Sequence, residues 1–378
     1  MRIAHVSDVY LPALGGIELH VADVARQQAL RGDEVTVLTF TAMSQDRVEV
    51  VDPNADVTVL RLPSLAAAVR LDLGRFDVIH AHVSSVSPLA STLASYASRR
   101  GIPTLVTVHS LWTGLGPLPA ASAAAFGLRS APVTWTAVSE VAAETVRRWL
   151  PRHSTVGVLP NAGDVDARPA TPQRAPGSPV RLVSTMRLTR LKRPLPMLRM
   201  FARVRRMTAA PVHLTMVGDG KKRAAVVRAI RRGGLSDDVR LTGRLDGATV
   251  LETLAASDIY VAPAPLESFG LAALEARSVG LPVVAVAGSG VGEFVTHGRN
   301  GYLAKSDADM VSWIARLVDE PDLRTAIAEH NRTTNSAMSW AASLVRTDAA
   351  YGRAAARAGR RLGGTRQVEV GRGHDQAG

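Results

Sequence analysis

The chain has 378 residues, of which 46% are hydrophobic, with no cysteine and a net charge of +12. That length suits two domains, each with its own core, and the absence of cysteine excludes disulfides, thiolate nucleophiles and cysteine–zinc sites. No run approaches the roughly 18 apolar residues of a membrane span, and the start from Met1 to Asp8 is interrupted too soon for a signal peptide, so a cytoplasmic location is expected.

Charge is unevenly spread, with 14 basic against 15 acidic residues in 1–170, 24 against 15 in 171–340, and 7 against 3 in 341–378. The positive field of the middle segment favours an anion such as a pyrophosphate. Its basic residues interleave with helical apolar positions and no aromatic stacking array accompanies them, so no nucleic-acid partner is expected.

Short apolar strands at 2–7, 34–39, 57–62, 77–80, 104–109, 133–138 and 155–159 alternate with helical stretches. Such alternation implies an α/β domain, a parallel sheet covered on both faces, over 1–168. Its first strand runs into Pro12-Ala13-Leu14-Gly15-Gly16-Ile17-Glu18. A glycine pair there lets backbone approach a ligand, and the start of the following helix favours an anion. A tight turn alone accounts for one glycine equally well, and the Gly-x-Gly-x-x-Gly dinucleotide fingerprint is missing. His80, His82 and His109 fall at strand ends, either as satisfied structural residues or as the lining of a cleft at the sheet's carboxyl edge. Asp164 and Asp166 form an Asp-x-Asp of the sort that holds a metal elsewhere, but the pattern is common by chance and no metal site is expected.

The prolines of 169–179 mark a linker, and a second alternating series follows over 180–338, with strands at 180–185, 212–217, 239–241, 259–262, 283–285 and 301–304. Arg187 and Lys192 lie on the loop leaving its first strand, where two cations can clamp a diphosphate whose charge grows as a sugar departs. Arg190 and Arg193 read as solvated neighbours. The most informative segment is Glu267-Ser268-Phe269-Gly270-Leu271-Ala272-Ala273-Leu274-Glu275, a strand-to-helix loop whose two carboxylates bracket a helix start. Its free amides attract phosphate while Glu267 and Glu275 can accept hydrogen bonds from sugar hydroxyls, which together suit a sugar nucleotide. A helix at 339–358 carries Trp340, Leu344, Thr347 and Tyr351 on one stripe, and 359–378 is expected to be disordered.

The Glu-x7-Glu segment, the Gly15-Gly16-x-Glu18 loop, the Arg187-x4-Lys192 pair and the Gly218-Asp219-Gly220 turn occur in the order found in family 4 retaining glycosyltransferases, which this chain resembles over 1–355. Met186 stands where that family has a glycine before the arginine. The resemblance implies the GT-B fold, two Rossmann-like domains with parallel sheets facing across a cleft and a C-terminal helix crossing back to the first. It implies His109, Arg187, Lys192 and Glu267 as catalytic residues, and Gly15, Gly16, Gly218, Gly243, Arg244, Ser268, Phe269, Gly270, Leu271 and Glu275 as donor-binding residues. Glu18 and His82 are assigned to the acceptor. No cofactor is implied; the donor is GDP-mannose or a UDP-sugar, and the sugar a hexose or N-acetylhexosamine. The first domain more loosely resembles the catalytic subunit of the N-acetylglucosaminyl-phosphatidylinositol synthase, through Ser7-Asp8, His80-x-His82 and His109-Ser110. That suggests a phosphoinositide, or another lipid or glycan acceptor, and an anionic inner membrane surface as partner, met by 64–75, Arg99, Arg100 and 147–150. A soluble acceptor and a catalytically silent sugar-nucleotide-binding subunit are the alternatives.

Overall fold

The computed structural model describes the chain except for residues 14, 43–48, 53–54, 114–115, 153, 164–176, 335–336 and 363–378. Most of the expected linker, Asp164, Asp166 and nearly all of the expected disordered tail lie outside the described residues. The first half runs β1 (Arg2–Ser7), α1 (Gly16–Leu30), β2 (Glu34–Thr39), β3 (Glu49–Asp52), β4 (Ala55–Arg61), α2 (Leu65–Ala68), β5 (Val78–Val83), α3 (Pro88–Arg99), β6 (Thr104–Val108), α4 (Leu118–Ala125), β7 (Thr134–Ala137), α5 (Glu140–Arg147) and β8 (Val156–Val158). The second runs β9 (Val180–Thr185), α6 (Pro194–Met207), β10 (Val212–Val217), α7 (Arg223–Arg232), β11 (Val239–Gly243), α8 (Gly247–Ala255), β12 (Ile259–Ala262), α9 (Leu271–Ser278), β13 (Val283–Val286), β14 (Gly301–Ala304), α10 (Asp307–Asp319), α11 (Pro321–Thr333) and α12 (Trp340–Arg357).

The first half folds into an eight-stranded sheet in the order β3-β4-β2-β1-β5-β6-β7-β8, the second into a six-stranded sheet in the order β11-β10-β9-β12-β13-β14. Every pairing is parallel except β3 with β4. The short antiparallel edge strand β3 had no counterpart in the sequence reading. Strands β5 and β6 are buried along their whole length, as expected of central strands covered by helices on both faces. One apolar cluster passes from Val106 and Val108 of the first sheet through Phe269, Ala273 and Leu274 to Val183 and Tyr260 of the second, so the two halves meet at the strands' carboxyl ends. Helix α12 crosses back and packs on β6 and β7. Arg31 at the end of α1 fixes it through two hydrogen bonds to Asp348, at 2.8 and 2.9 Å, and Trp340 stacks on His20 with ring centroids 6.0 Å apart.

Strand β5 continues to Val83, so His80 and His82 are interior strand residues rather than a cleft lining. Arg193 is not a solvated neighbour, because it donates to both carboxylate oxygens of Asp307 and to the carbonyl of Pro263, anchoring the loop that carries Arg187 and Lys192.

Candidate active site

Two helix starts face each other between the sheets. Helix α1 begins at Gly16 after an extended Gly15 with no side-chain cap, and α9 begins at Leu271 after Gly270 in the left-handed conformation, φ +96°. The two starts lie close together, since a Cβ built on Gly16 would reach within 4.0 Å of Leu271 Cδ1. Each start offers free amides and about half a positive charge. A Cβ on Gly15 would lie 2.9 Å from Arg187 Nη2 and would collide with Glu18 Oε2, so the glycine is what leaves room for both side chains beside the start of α1. Lys192 Nζ donates to Glu267 Oε2 at 2.5 Å, with both side chains partly exposed. The structure thus brings together Gly15, Gly16, Glu18, Arg187, Lys192, Glu267 and the 268–271 loop around one anion-attracting spot. An arriving diphosphate would draw Lys192 from Glu267, leaving that carboxylate to accept hydroxyl hydrogen bonds.

The loop after β12 is held on both sides. Gly290 donates its amide to the Glu267 carbonyl at 2.8 Å, Ser268 Oγ donates to the backbone carbonyl of His109 across the cleft at 2.7 Å, and Phe269 is buried against Phe294, centroids 5.4 Å apart. Glu275, in the second turn of α9, looks back toward α1. Burial pushes its carboxyl up from 4.5 to about 7, and the charge of Asp23 adds to the rise. Gly218 donates to the Gly243 carbonyl at 2.7 Å and lies directly under the Met186 backbone, so these glycines support the Arg187 loop from below. Arg244 is exposed, and no contact among the described residues links it to the cluster.

Behind the cleft lies a polar layer whose key members sequence reasoning passed over. In the sheet register His5 pairs with His80, His82 with Thr107, and Thr107 with Thr136, so polar side chains run across β1, β5, β6 and β7. His5 Nδ1 lies 2.9 Å from His82 Nε2, and its Nε2 lies 2.7 Å from Gln28 Oε1. His82 Nδ1 lies 3.0 Å from His109 Nε2. His80 joins Tyr351 of α12 at 3.0 Å and Thr107 at 2.8 Å. His82 is therefore buried, only 1% exposed, with both ring nitrogens engaged, and presents no atom to an acceptor as the sequence suggested. Burial pulls the His5 imidazole down to about 4 and that of His109 to about 3, and holds those of His20, His80 and His82 well below 6.5. All five are neutral at pH 7. The ring nitrogens of His5, His80 and His82 come within 4.8 Å of one another, a spacing open to a metal ion. Each of those nitrogens already has a hydrogen-bond partner, so a cation would have to break that set. The only sequence signal for this layer was the run of inward histidines and threonines in strands otherwise made of valine, isoleucine and alanine.

The family model described as glycosyltransferase family 4 matches residues 14–167, and that described as glycosyl transferases group 1 matches 171–334. A D-inositol 3-phosphate glycosyltransferase of Pseudarthrobacter chlorophenolicus is 28% identical, over 87% of this chain and 89% of its own. A GDP-mannose-dependent monoacylated alpha-(1-6)-phosphatidylinositol monomannoside mannosyltransferase of Corynebacterium glutamicum is 24% identical, over 86% of this chain and 91% of its own. Among solved structures, a sucrose-phosphate synthase from Thermosynechococcus elongatus superimposes with a TM-score of 0.73 at 19% identity, covering 93% of this chain and 98% of its own. With two parallel sheets meeting at a cleft, paired helix starts and both family models in sequence along the chain, this protein belongs to the family 4 glycosyltransferases of GT-B fold.

Proposed function

We propose that the protein moves a hexose or N-acetylhexosamine from GDP-mannose or a UDP-sugar to a hydroxyl of an inositol-containing acceptor, with retention at the anomeric carbon. The observation that carries this reading is the convergence of two helix starts with Arg187 and Lys192 on one spot, which can take up the charge of a departing nucleoside diphosphate. The acceptor hydroxyl attacks the anomeric carbon on the face the phosphate leaves, the bond from that carbon to the phosphate oxygen breaks, and the leaving phosphate takes the hydroxyl proton. Glu267 holds sugar hydroxyls and Glu275 the ribose. The ion pair of Glu267 with Lys192 supports a binding role over that of a covalent nucleophile. The inositol moiety is favoured because the two relatives described above carry it in their names.

A lipid acceptor would place the enzyme at the inner face of the plasma membrane as a peripheral protein. No helix among the described residues is long and apolar enough to cross a membrane. The test is a thermal-shift panel of GDP-, UDP- and ADP-sugars, followed by transfer to inositol phosphates and to phosphatidylinositol vesicles. A cognate donor at 100 times its dissociation constant stabilises by about 2.7 kcal/mol. The reading fails if no nucleotide sugar shifts the melting temperature. A glycosyl adduct trapped on Glu267 would replace the front-face mechanism with a double displacement.

A further inference from the structure

The hydrogen bonds of the polar layer form one unbranched line whose direction is set at its far end. Thr136 Oγ donates its single proton to the backbone carbonyl of Val106 at 3.0 Å. The 2.8 Å contact between Thr136 and Thr107 hydroxyls needs a proton, which only Thr107 can supply. Thr107 must then accept from His80 Nε2, leaving His80 Nδ1 bare to accept from the Tyr351 hydroxyl. With its proton so used, Tyr351 accepts from Gln28 Nε2 at 3.1 Å, which turns Gln28 Oε1 toward His5. His5 therefore carries its proton on Nε2, accepts at Nδ1 from His82 Nε2, and His82 in turn accepts at Nδ1 from His109 Nε2. Each imidazole has one proton to give, so no link can be reversed without reversing the rest. His109 Nδ1, the last atom, has no protein partner among the described residues and, unlike the buried, unpartnered Nδ1 of His20, is not sealed from solvent.

We propose that this line, through Gln28 and Tyr351 as positioning residues, holds His109 in the Nε2–H tautomer, so that its Nδ1 is a dedicated acceptor for a hydroxyl of the donor sugar. The assignment of the hydroxyl to a donor sugar rests on the function proposed above; the tautomer does not. The line spans four strands and two helices and begins at a main-chain carbonyl, which cannot change its role. A histidine free to take either tautomer would spend part of its time presenting an N–H to a hydroxyl, which accepts and donates alike, so geometry alone would not select the acceptor form.

The test is a long-range proton–nitrogen correlation spectrum of the full-length chain with nitrogen-15 histidine, recorded without ligand. His5, His80, His82 and His109 are all expected as Nε2–H tautomers, and an Nδ1–H or doubly protonated His109 overturns the proposal. Addition of GDP-mannose or the UDP-sugar that binds is expected to move the His109 Nδ1 resonance, and the nucleoside diphosphate alone is not. If the tautomer is as stated but no nucleotide sugar binds, the function is wrong and the line still stands. In Tyr351→Phe the anchor is cut, so His109 is expected as a tautomer mixture and kcat/KM falls about tenfold, the scale of one neutral hydrogen bond. Asp348→Ala, which loosens the same helix by breaking its pair with Arg31, is expected to lower the melting temperature and leave the His109 tautomer alone. A pure Nε2–H signal persisting in Tyr351→Phe would remove Tyr351 and Gln28 from the mechanism. The wild-type spectrum decides the main point even if that variant does not fold.

Discussion

Glu275 shows how a ligand-binding carboxylate costs stability in the empty protein. Below pH 4.5 the folded and unfolded chains both hold its proton, so it contributes nothing. From there to about pH 7 the unfolded chain releases the proton while the folded chain keeps it, and stability falls as pH rises. Above pH 7 the loss is constant, on the order of 3 kcal/mol at about 1.4 kcal/mol per pH unit. Glu275→Gln is expected to melt higher than wild type at pH 8, to converge with it near pH 4.5, and to bind nucleotide sugar more weakly. Melting curves across that range check the first part, and identical curves would mean the carboxylate is solvated. Arg187→Ala and Lys192→Ala are expected to lower kcat/KM by about 2 to 4 kcal/mol each while the fold persists, since both side chains are solvent-accessible. Steady-state kinetics beside a melting curve separates the two effects. Most of the cleft residues were legible in the sequence because their chemistry is local: a carboxylate, a glycine and a helix start within nine residues. His82 was misplaced because strand length, not residue type, decided which side of the sheet's edge it occupied.

At the level of elements, the loop carrying Arg187 is positioned by what lies beneath it. Gly218 sits at the end of β10 with φ +129°, and a Cβ there would overlap the Met186 carbonyl oxygen. Gly218→Ala therefore meets both backbone strain and a main-chain clash that no rotamer relieves, and a loss of about 3 kcal/mol or more is expected. Chemical denaturation measures it, and kcat/KM should fall with it because the guanidinium moves with the loop. The strands of both sheets were readable from apolar runs bounded by turns. Strand β3 was not, because a four-residue edge strand is too short for a periodic pattern to announce it. The partnership of α12 with the polar layer was equally hidden: Tyr351 read as one member of a stripe, and its hydrogen bond to His80 joins residues 271 apart.

For the whole molecule, charge and closure matter most. Several basic residues expected to meet a membrane from the first domain are locally engaged: Arg147 with Glu140, Arg148 with Glu144, Arg100 over Tyr96 at 3.6 Å and Arg75 over Phe76 at 4.7 Å. The second domain instead exposes Arg223, Arg228, Arg231 and Arg232 on α7, and Arg199 and Arg203 on α6. At about 1 kcal/mol per basic residue near an anionic surface, co-sedimentation with anionic vesicles at low salt is expected to survive Arg147→Ala with Arg148→Ala. Reversing Arg228, Arg231 and Arg232 to glutamate should reduce it. The opposite pattern would favour the first domain, and no co-sedimentation of the wild type at low salt would exclude an anionic-surface partner.

The crossing of α12 also sets an order in time. Tyr351 follows His80 by 271 residues, which at 5 to 20 residues per second is roughly 14 to 54 s of synthesis. Throughout that interval the nascent first sheet holds a row of imidazoles and hydroxyls with their last partner still inside or behind the ribosome. The interior of the domain made first is thus among the last parts of the protein to be completed.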